Sequence, residues 1–235
     1  MPHLEWVSDG EYLTDRLTDE ALKIIDRWRD RPFFLYLAYH TVHTPIEAKP
    51  AHVAHFRKKI TPQLHHQNPV YAGMVASLDE NVGRVLDRLD RLGLAENTIV
   101  IFTADNGGYV NPYRGMTVTN NNPLRSGKGS LYEGGLRVPL VVRWPGVSPT
   151  GGVSHEPTTS HDFYPTILEM TGTHGDPTQN GQIDGKSIAG LVRNPKSKLD
   201  RDALLFHYPH YYPTTAPAIG ICSSSSSRCE WSCIT

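Results

Sequence analysis

The chain has 235 residues, enough for one large α/β domain or two small ones and for a real hydrophobic core. Its 23 basic and 24 acidic side chains leave a formal net charge of −1, so no polyelectrolyte field points to nucleic acid or to a membrane surface. All three cysteines (Cys222, Cys229, Cys233) lie in the last fourteen residues, which leaves the body without a disulfide framework or a thiolate site.

In chain order, Thr18 to Trp28 reads as a helix, with a Thr cap, acids in the first turn and Leu22, Ile25 and Trp28 along one side. After Pro32 the run "FFLYLAY" is continuous, aromatic and short, which suits a strand buried on both faces. A loop, "HTVHTPIEAKP", follows. From Pro69 to Leu92 apolar residues recur at helical spacing, and Gly93 supplies a C-terminal stop. Ile99–Thr103 is a second strand, and "VPLVVRW" a third. Asp162 can cap a helix that carries Pro165 in its first turn and ends at Gly172. Short buried strands alternating with long helices predict an α/β protein with a layered mixed sheet flanked by helices. No secretory apolar region follows Met1, and no run approaches the ~18 residues that span a bilayer. The end, "CSSSSSRCEWSCIT", has low complexity and no periodicity; residues 219–235 read as a disordered tail behind a body of residues 1–218.

Three motifs carry chemistry. The strand "TIVIF" ends on Asp105-Asn106 followed by two glycines. Asn-Gly is a strong hairpin signal, but a carboxylate and an amide carbonyl at a strand's carboxyl end are also two hard oxygen ligands where α/β sheets collect ligands. Oxygen-only ligation favours Ca²⁺, with Mg²⁺ the lesser candidate, over zinc. "RSGKGSLYEGG" sets Lys128 between two glycines. It is not a Walker A loop, because Asn122 and Gly129 occupy positions where that motif needs Gly and Ser/Thr. Flanking glycines let backbone N–H groups and an ammonium approach one anion together. "HTVHTP" places His40 and His43 three apart on a loop. Six of the twelve histidines fall between His40 and His66, yet no zinc motif accompanies them, and His52, His55, His65 and His66 read as surface residues. The segment from Asp105 to Gly135 is long for a structureless loop, and such loops are usually functional.

Together these motifs fit a centre in which a divalent cation, a lysine and a histidine surround a group with several anionic oxygens. Their order resembles that of the type I sulfatases of the alkaline phosphatase superfamily. "PFFLYLAYHTVHTP", "TIVIFTADNGG", "GKGSLYEGGLRVPLVVRWPG", "HDFYPTILEMTG" and "IDGKSI" are similar to that family's sequence blocks and stand in its order, from about Leu13 to about Tyr212. The resemblance implies an arylsulfatase-like hydrolase of sulfate esters. Asp105 and Asn106 would be ligands of an active-site Ca²⁺, and Lys128 would contact a sulfate oxygen and the nucleophile. His43 would bind the sulfate and assist the leaving group, with His40 a supporting residue. It implies a small-molecule or carbohydrate sulfate ester as partner, with no nucleic acid and no membrane segment. A periplasmic or secreted location follows if a signal peptide lies upstream.

The family's nucleophile is a formylglycine made from Cys or Ser in Cys/Ser-x-Pro-x-Arg, a motif this sequence lacks. The family's early Asp-Asp pair and Gly-Lys-x-His block are also missing. The resemblance therefore implies an amino-terminally truncated fragment that carries part of an active site and is inactive by itself. A phosphonate or phosphodiester hydrolase of the same superfamily, and a non-catalytic remnant, are the competing readings.

Overall fold

A computed structural model describes residues 10–209 and, as backbone, the strands Ala218–Ser223 and Glu230–Cys233. The chain divides into two compact units. One holds the chain up to Thr98 and the segment Tyr109–Asn120; the other holds Ile99–Gly108 and the chain from Asn121 onward.

The first unit is built on three helices. α1 (Leu13–Trp28) begins five residues before the predicted start. Thr18 is not its cap: it is fully buried inside the helix, donates to the carbonyl of Thr14 at 3.0 Å and shares a 2.7 Å bond with the Tyr39 hydroxyl. A hydroxyl that back-bonds to its own helix fills its hydrogen-bonding needs there and can face the core. α2 (Pro50–Arg57) packs on α3 (Pro69–Arg91), and a Cβ at Gly73 of α3 would stand 3.0 Å from Ala48 Cβ and 3.1 Å from His52 Cβ. α3 matches its predicted span; Asn68 caps it by accepting from Val70 and Tyr71 N–H. α1 and α3 run in the same direction, since Asp15 pairs with Asn81, Asp19 with Arg84 and Asp26 with Arg88 in increasing order. Ala21 and Ile25 of α1 and Met74 and Leu89 of α3 supply the apolar packing. The small hairpin of β2 (Pro112–Tyr113) and β3 (Met116–Thr117) is tied to the α3 cap, because Asn68 Nδ2 donates to the Thr117 carbonyl at 3.0 Å.

The predicted strand "FFLYLAY" belongs to this unit and has no ladder partner among the described residues. Exposure alternates along it, with Phe34 74% and Tyr36 81% exposed. An apolar run becomes a strand buried on both faces only when two neighbours take up its N–H and C=O groups; without them it stays extended and half-open.

In the second unit β1 (Val100–Thr103) pairs antiparallel with β4 (Leu140–Arg143), Phe102 facing Val141 across the ladder. Neither strand is buried, Phe102 being 38% and Val141 61% exposed, so the predicted burial of "TIVIF" and "VPLVVRW" is not met. α4 (Glu133–Leu136) lies between them in the chain. α5 (Phe163–Thr171) ends at Gly172, whose φ of +64° is the left-handed conformation that helix ends favour and that glycine adopts without strain. Asp162 precedes α5, but its carboxylate reaches back to the Thr159 N–H in a capping box on the 3-10 turn Ser160–Asp162. α6 (Pro177–Asn180) and α7 (Ala189–Arg193) follow, then β5 (Ala203–Tyr208). β6 (Ala218–Ser223) and β7 (Glu230–Cys233) extend β5 into a three-stranded antiparallel sheet. Within the segment read as a tail, "AIGICS" carries β-branched residues and meets a ready strand edge in β5. The serine run between them lies outside the described residues.

The candidate active site

Asp105 and Asn106 follow β1, and the chain does not turn back into a hairpin there; β1's ladder partner is β4, reached only at Leu140. The two glycines serve close approach instead. Gly107 N–H donates to the Gly135 carbonyl at 2.9 Å, and Gly108 O accepts from Lys128 N–H at 3.0 Å. A Cβ on Gly107 would stand 1.7 Å from the Gly134 carbonyl oxygen, so no other residue fits. Asn121 completes the junction: its amide accepts from Gly108 N–H at 3.1 Å and donates to Gly108 O at 3.1 Å and Ser126 O at 2.9 Å. The Asp-Asn pair and the Gly-Lys-Gly loop, more than twenty residues apart in sequence, are thus stitched together through their backbones.

Asp105 is exposed and Asn106 half-buried. Neither side chain has a hydrogen bond or ion pair among the described residues, which leaves a carboxylate and an amide oxygen uncommitted. That donor chemistry fits a hard cation. Among the described residues no group of three or more His, Cys, Asp or Glu is arranged to hold a metal. Lys128 is half-buried, and its loop is held in place beyond its own bonds. The guanidinium of Arg125 stacks 3.8 Å from the centre of the Tyr132 ring, and Arg125 O accepts from Gly134 N–H at 2.9 Å.

His40 and His43 belong to the first unit. Both are exposed, with ring centroids 5.2 Å apart, and His43 N–H donates to the His40 carbonyl at 3.0 Å. His43 Nδ1 lies 2.7 Å from the Thr44 carbonyl oxygen. A carbonyl accepts only, so Nδ1 carries the proton in that contact. The structure therefore gathers Asp105, Asn106 and Lys128 within one unit and His40 with His43 in the other. Of the histidines read as surface residues, His55, His65 and His66 are exposed, whereas His52 is half-buried and pairs with Glu80 at 3.3 Å. Asn121 is the residue that motif reading missed; its signal was weak, one of four asparagines or prolines in "NNNP".

A sequence model of the sulfatase family matches residues 2–173, well over half of the chain. The chain belongs to the sulfatase family. A second model, for the C-terminal part of N-sulphoglucosamine sulphohydrolase, matches residues 127–221. A sulfatase of Formosa agariphila is 39% identical over 220 residues, covering 88% of this chain and 39% of its own length. The steryl-sulfatase of Mus musculus is 39% identical over 205 residues, covering 85% of this chain and 30% of its own length. The crystal structure of Ps i-CgsB in complex with k-i-k-neocarrahexaose superposes with a TM-score of 0.77 at 31% identity, covering 94% of this chain and 46% of that one. This sulfatase chain thus spans less than half the length of each of these relatives. Its fold is the α/β fold of the sulfatases, and the family is generally metal-dependent.

Proposed function

We propose that this chain forms part of an enzyme that hydrolyses sulfate esters of carbohydrates or small molecules, with Asp105, Asn106 and Lys128 in its sulfate-binding centre. The observation that carries the reading is the backbone junction of the Asp-Asn-Gly-Gly turn with the Gly-Lys-Gly loop. It sets two uncommitted oxygen ligands and an ammonium-bearing residue on one rigid support, as an oxyanion centre requires. A carbohydrate substrate is supported by the 31% identical relative, whose structure holds an oligosaccharide.

Asp105 and Asn106 supply two of the roughly six to eight oxygens that Ca²⁺ takes; Mg²⁺, which demands octahedral geometry and keeps more waters, suits the pair less. The ion, when bound, offsets charge on the sulfate oxygens. Lys128 contacts one of those oxygens as a charge already in place, so it does not reorganise as charge shifts in the transition state. His43 exchanges a proton at Nε2 with the ester oxygen, held in that tautomer by the Thr44 carbonyl, while His40 supports the loop. The covalent nucleophile, formylglycine in this family, needs a Cys/Ser-x-Pro-x-Arg sequence, and these 235 residues contain none; that step uses a residue of a longer protein.

The test is kinetic, in a full-length sulfatase that contains this sequence. Lys128→Ala should lower turnover of an aryl sulfate by roughly 10² or more, and His43→Ala should lower it most for substrates with poor leaving groups. Metal content should be unchanged in both. Full turnover by Lys128→Ala, or turnover of a phosphonate monoester in place of the aryl sulfate, overturns the reading.

A further inference from the structure

The second unit carries a cavity of about 240 Å³ that uses neither the Asp-Asn turn nor the Gly-Lys-Gly loop. It lies between α5, the turn after that helix and the segment around α6. Its size is just below the range of drug-sized ligand sites, which suits a single six-membered ring.

Its walls are of two kinds. Pro165, Leu168 and Ile183 form an apolar side. Tyr164, His174 and Asn180 bring polar groups to the same space. The Tyr164 hydroxyl donates to Asn180 Oδ1 at 3.2 Å. That bond orients the Asn180 amide and leaves its two N–H donors, together with the lone pairs of the Tyr164 oxygen, without a partner among the described residues. His174 likewise has none. Gly175 is what allows the pair to close, because a Cβ there would stand 2.3 Å from the Tyr164 hydroxyl and 2.7 Å from Asn180 Oδ1. The lining contains no Lys, Arg, Asp or Glu, so it offers nothing to neutralise a sulfate or any other ion.

We propose that this cavity is a subsite for an uncharged pyranose ring. A pyranose has one face of C–H groups and an edge of hydroxyls that both donate and accept. The cavity presents an aliphatic wall beside an amide donor, a phenolic oxygen and an imidazole. The subsite goes beyond the sulfate-hydrolysis reading and does not depend on it, since none of its residues belongs to the sulfate-binding centre.

The experiment is a ligand-detected NMR titration of a full-length sulfatase that contains this sequence with methyl β-galactopyranoside and methyl β-glucopyranoside, uncharged probes with no sulfate. Saturable binding in the millimolar range is expected. Tyr164→Phe, which keeps the ring and removes one neutral hydrogen bond, should weaken it about three- to tenfold. Gly175→Ala should abolish it by driving the Tyr164–Asn180 pair apart. Lys128→Ala should leave it unchanged, so loss of the sulfate chemistry and loss of this subsite are separable. Absence of saturable binding by the folded wild-type protein, or equal binding by Tyr164→Phe, overturns the proposal. Circular dichroism spectra of each variant separate lost binding from lost fold.

Discussion

Gly107 shows how one residue without a side chain shapes the candidate centre. Its missing Cβ is what lets the Asp-Asn turn lie against the Gly134–Gly135 backbone, the methyl of an alanine falling 1.7 Å from a carbonyl oxygen. Backbone on both sides cannot yield as a flexible side chain would, so Gly107→Ala belongs at the upper end of overpacking effects. We expect a loss of about 3 kcal/mol in chemical denaturation and a loss of metal affinity with it. A variant as stable as the parent would mean that this approach is not maintained in solution. Asp105 gives the complementary case. It is exposed and makes no hydrogen bond among the described residues, so Asp105→Ala should change the stability of the metal-free protein by no more than about 0.5 kcal/mol. In a full-length sulfatase containing this sequence, the same substitution should remove the rise in thermal midpoint that Ca²⁺ produces in the parent. Calorimetry showing unaltered calcium binding would remove Asp105 from the ligand set.

Among the elements, the joint between the 3-10 turn, α5 and the chain before β5 is held by one buried carboxylate. Asp162 is fully buried and receives the Arg201 guanidinium on both oxygens, with Nη1 2.9 Å from Oδ2. The Lys186 N–H reaches Oδ1 at 2.9 Å and the Thr159 N–H reaches Oδ2 at 2.9 Å. Burial alone would raise this carboxyl's pKa, but the bonds from Arg201, Lys186 and Thr159 outweigh it and hold the pKa below the ordinary aspartate value of 3.8. A carboxyl depressed in the folded state stabilises the fold fully above its unfolded pKa. The contribution is lost as the pH falls below 3.8 toward the folded value. Arg201→Ala leaves the charge buried with only backbone donors and should cost about 3–5 kcal/mol at neutral pH. The folded-state pKa of Asp162 then rises, so acid unfolding of the variant should begin at higher pH than in the parent. Urea titrations from pH 7 down to pH 3 would show this, and parallel stability curves for the two proteins would contradict it.

At the scale of the whole molecule, apolar surface is left open on both units. Phe34 and Tyr36 are exposed in one, Val141 and Leu205 in the other, the last at 75%. Large exposed apolar patches are sites of association, and the extended run Phe33–Tyr39 has no ladder partner among the described residues. A polypeptide of these 235 residues should therefore bind a hydrophobic dye and elute as oligomers in size-exclusion chromatography. It should hydrolyse no aryl sulfate with Ca²⁺ present, because it contains no sequence that yields the covalent nucleophile. A monodisperse, dye-negative monomer would count against the first expectation, and measurable turnover against the second.

By itself the sequence determined what depends on local pattern and on residue chemistry. α3 from Pro69 to its stop at Gly93, α5 with its stop at Gly172 and the α/β class follow from periodicity and helix-stop chemistry, and the sulfatase family from the resemblance of its ordered sequence blocks. The types of the candidate site residues were legible for the same reason: a carboxylate, an amide and a lysine flanked by glycines keep their chemistry wherever the chain runs. Only tertiary structure decided what depends on a distant partner. Asn-Gly at 106–107 is a strong hairpin signal, yet its outcome rested on the Gly134–Gly135 backbone and on Asn121, none of which is local to it. Thr18 reads as a cap until Tyr39 is seen beside it inside the core. "FFLYLAY" reads as a buried strand, but a strand is completed by its neighbours, and hydrogen-bond partners are not encoded in the run that needs them.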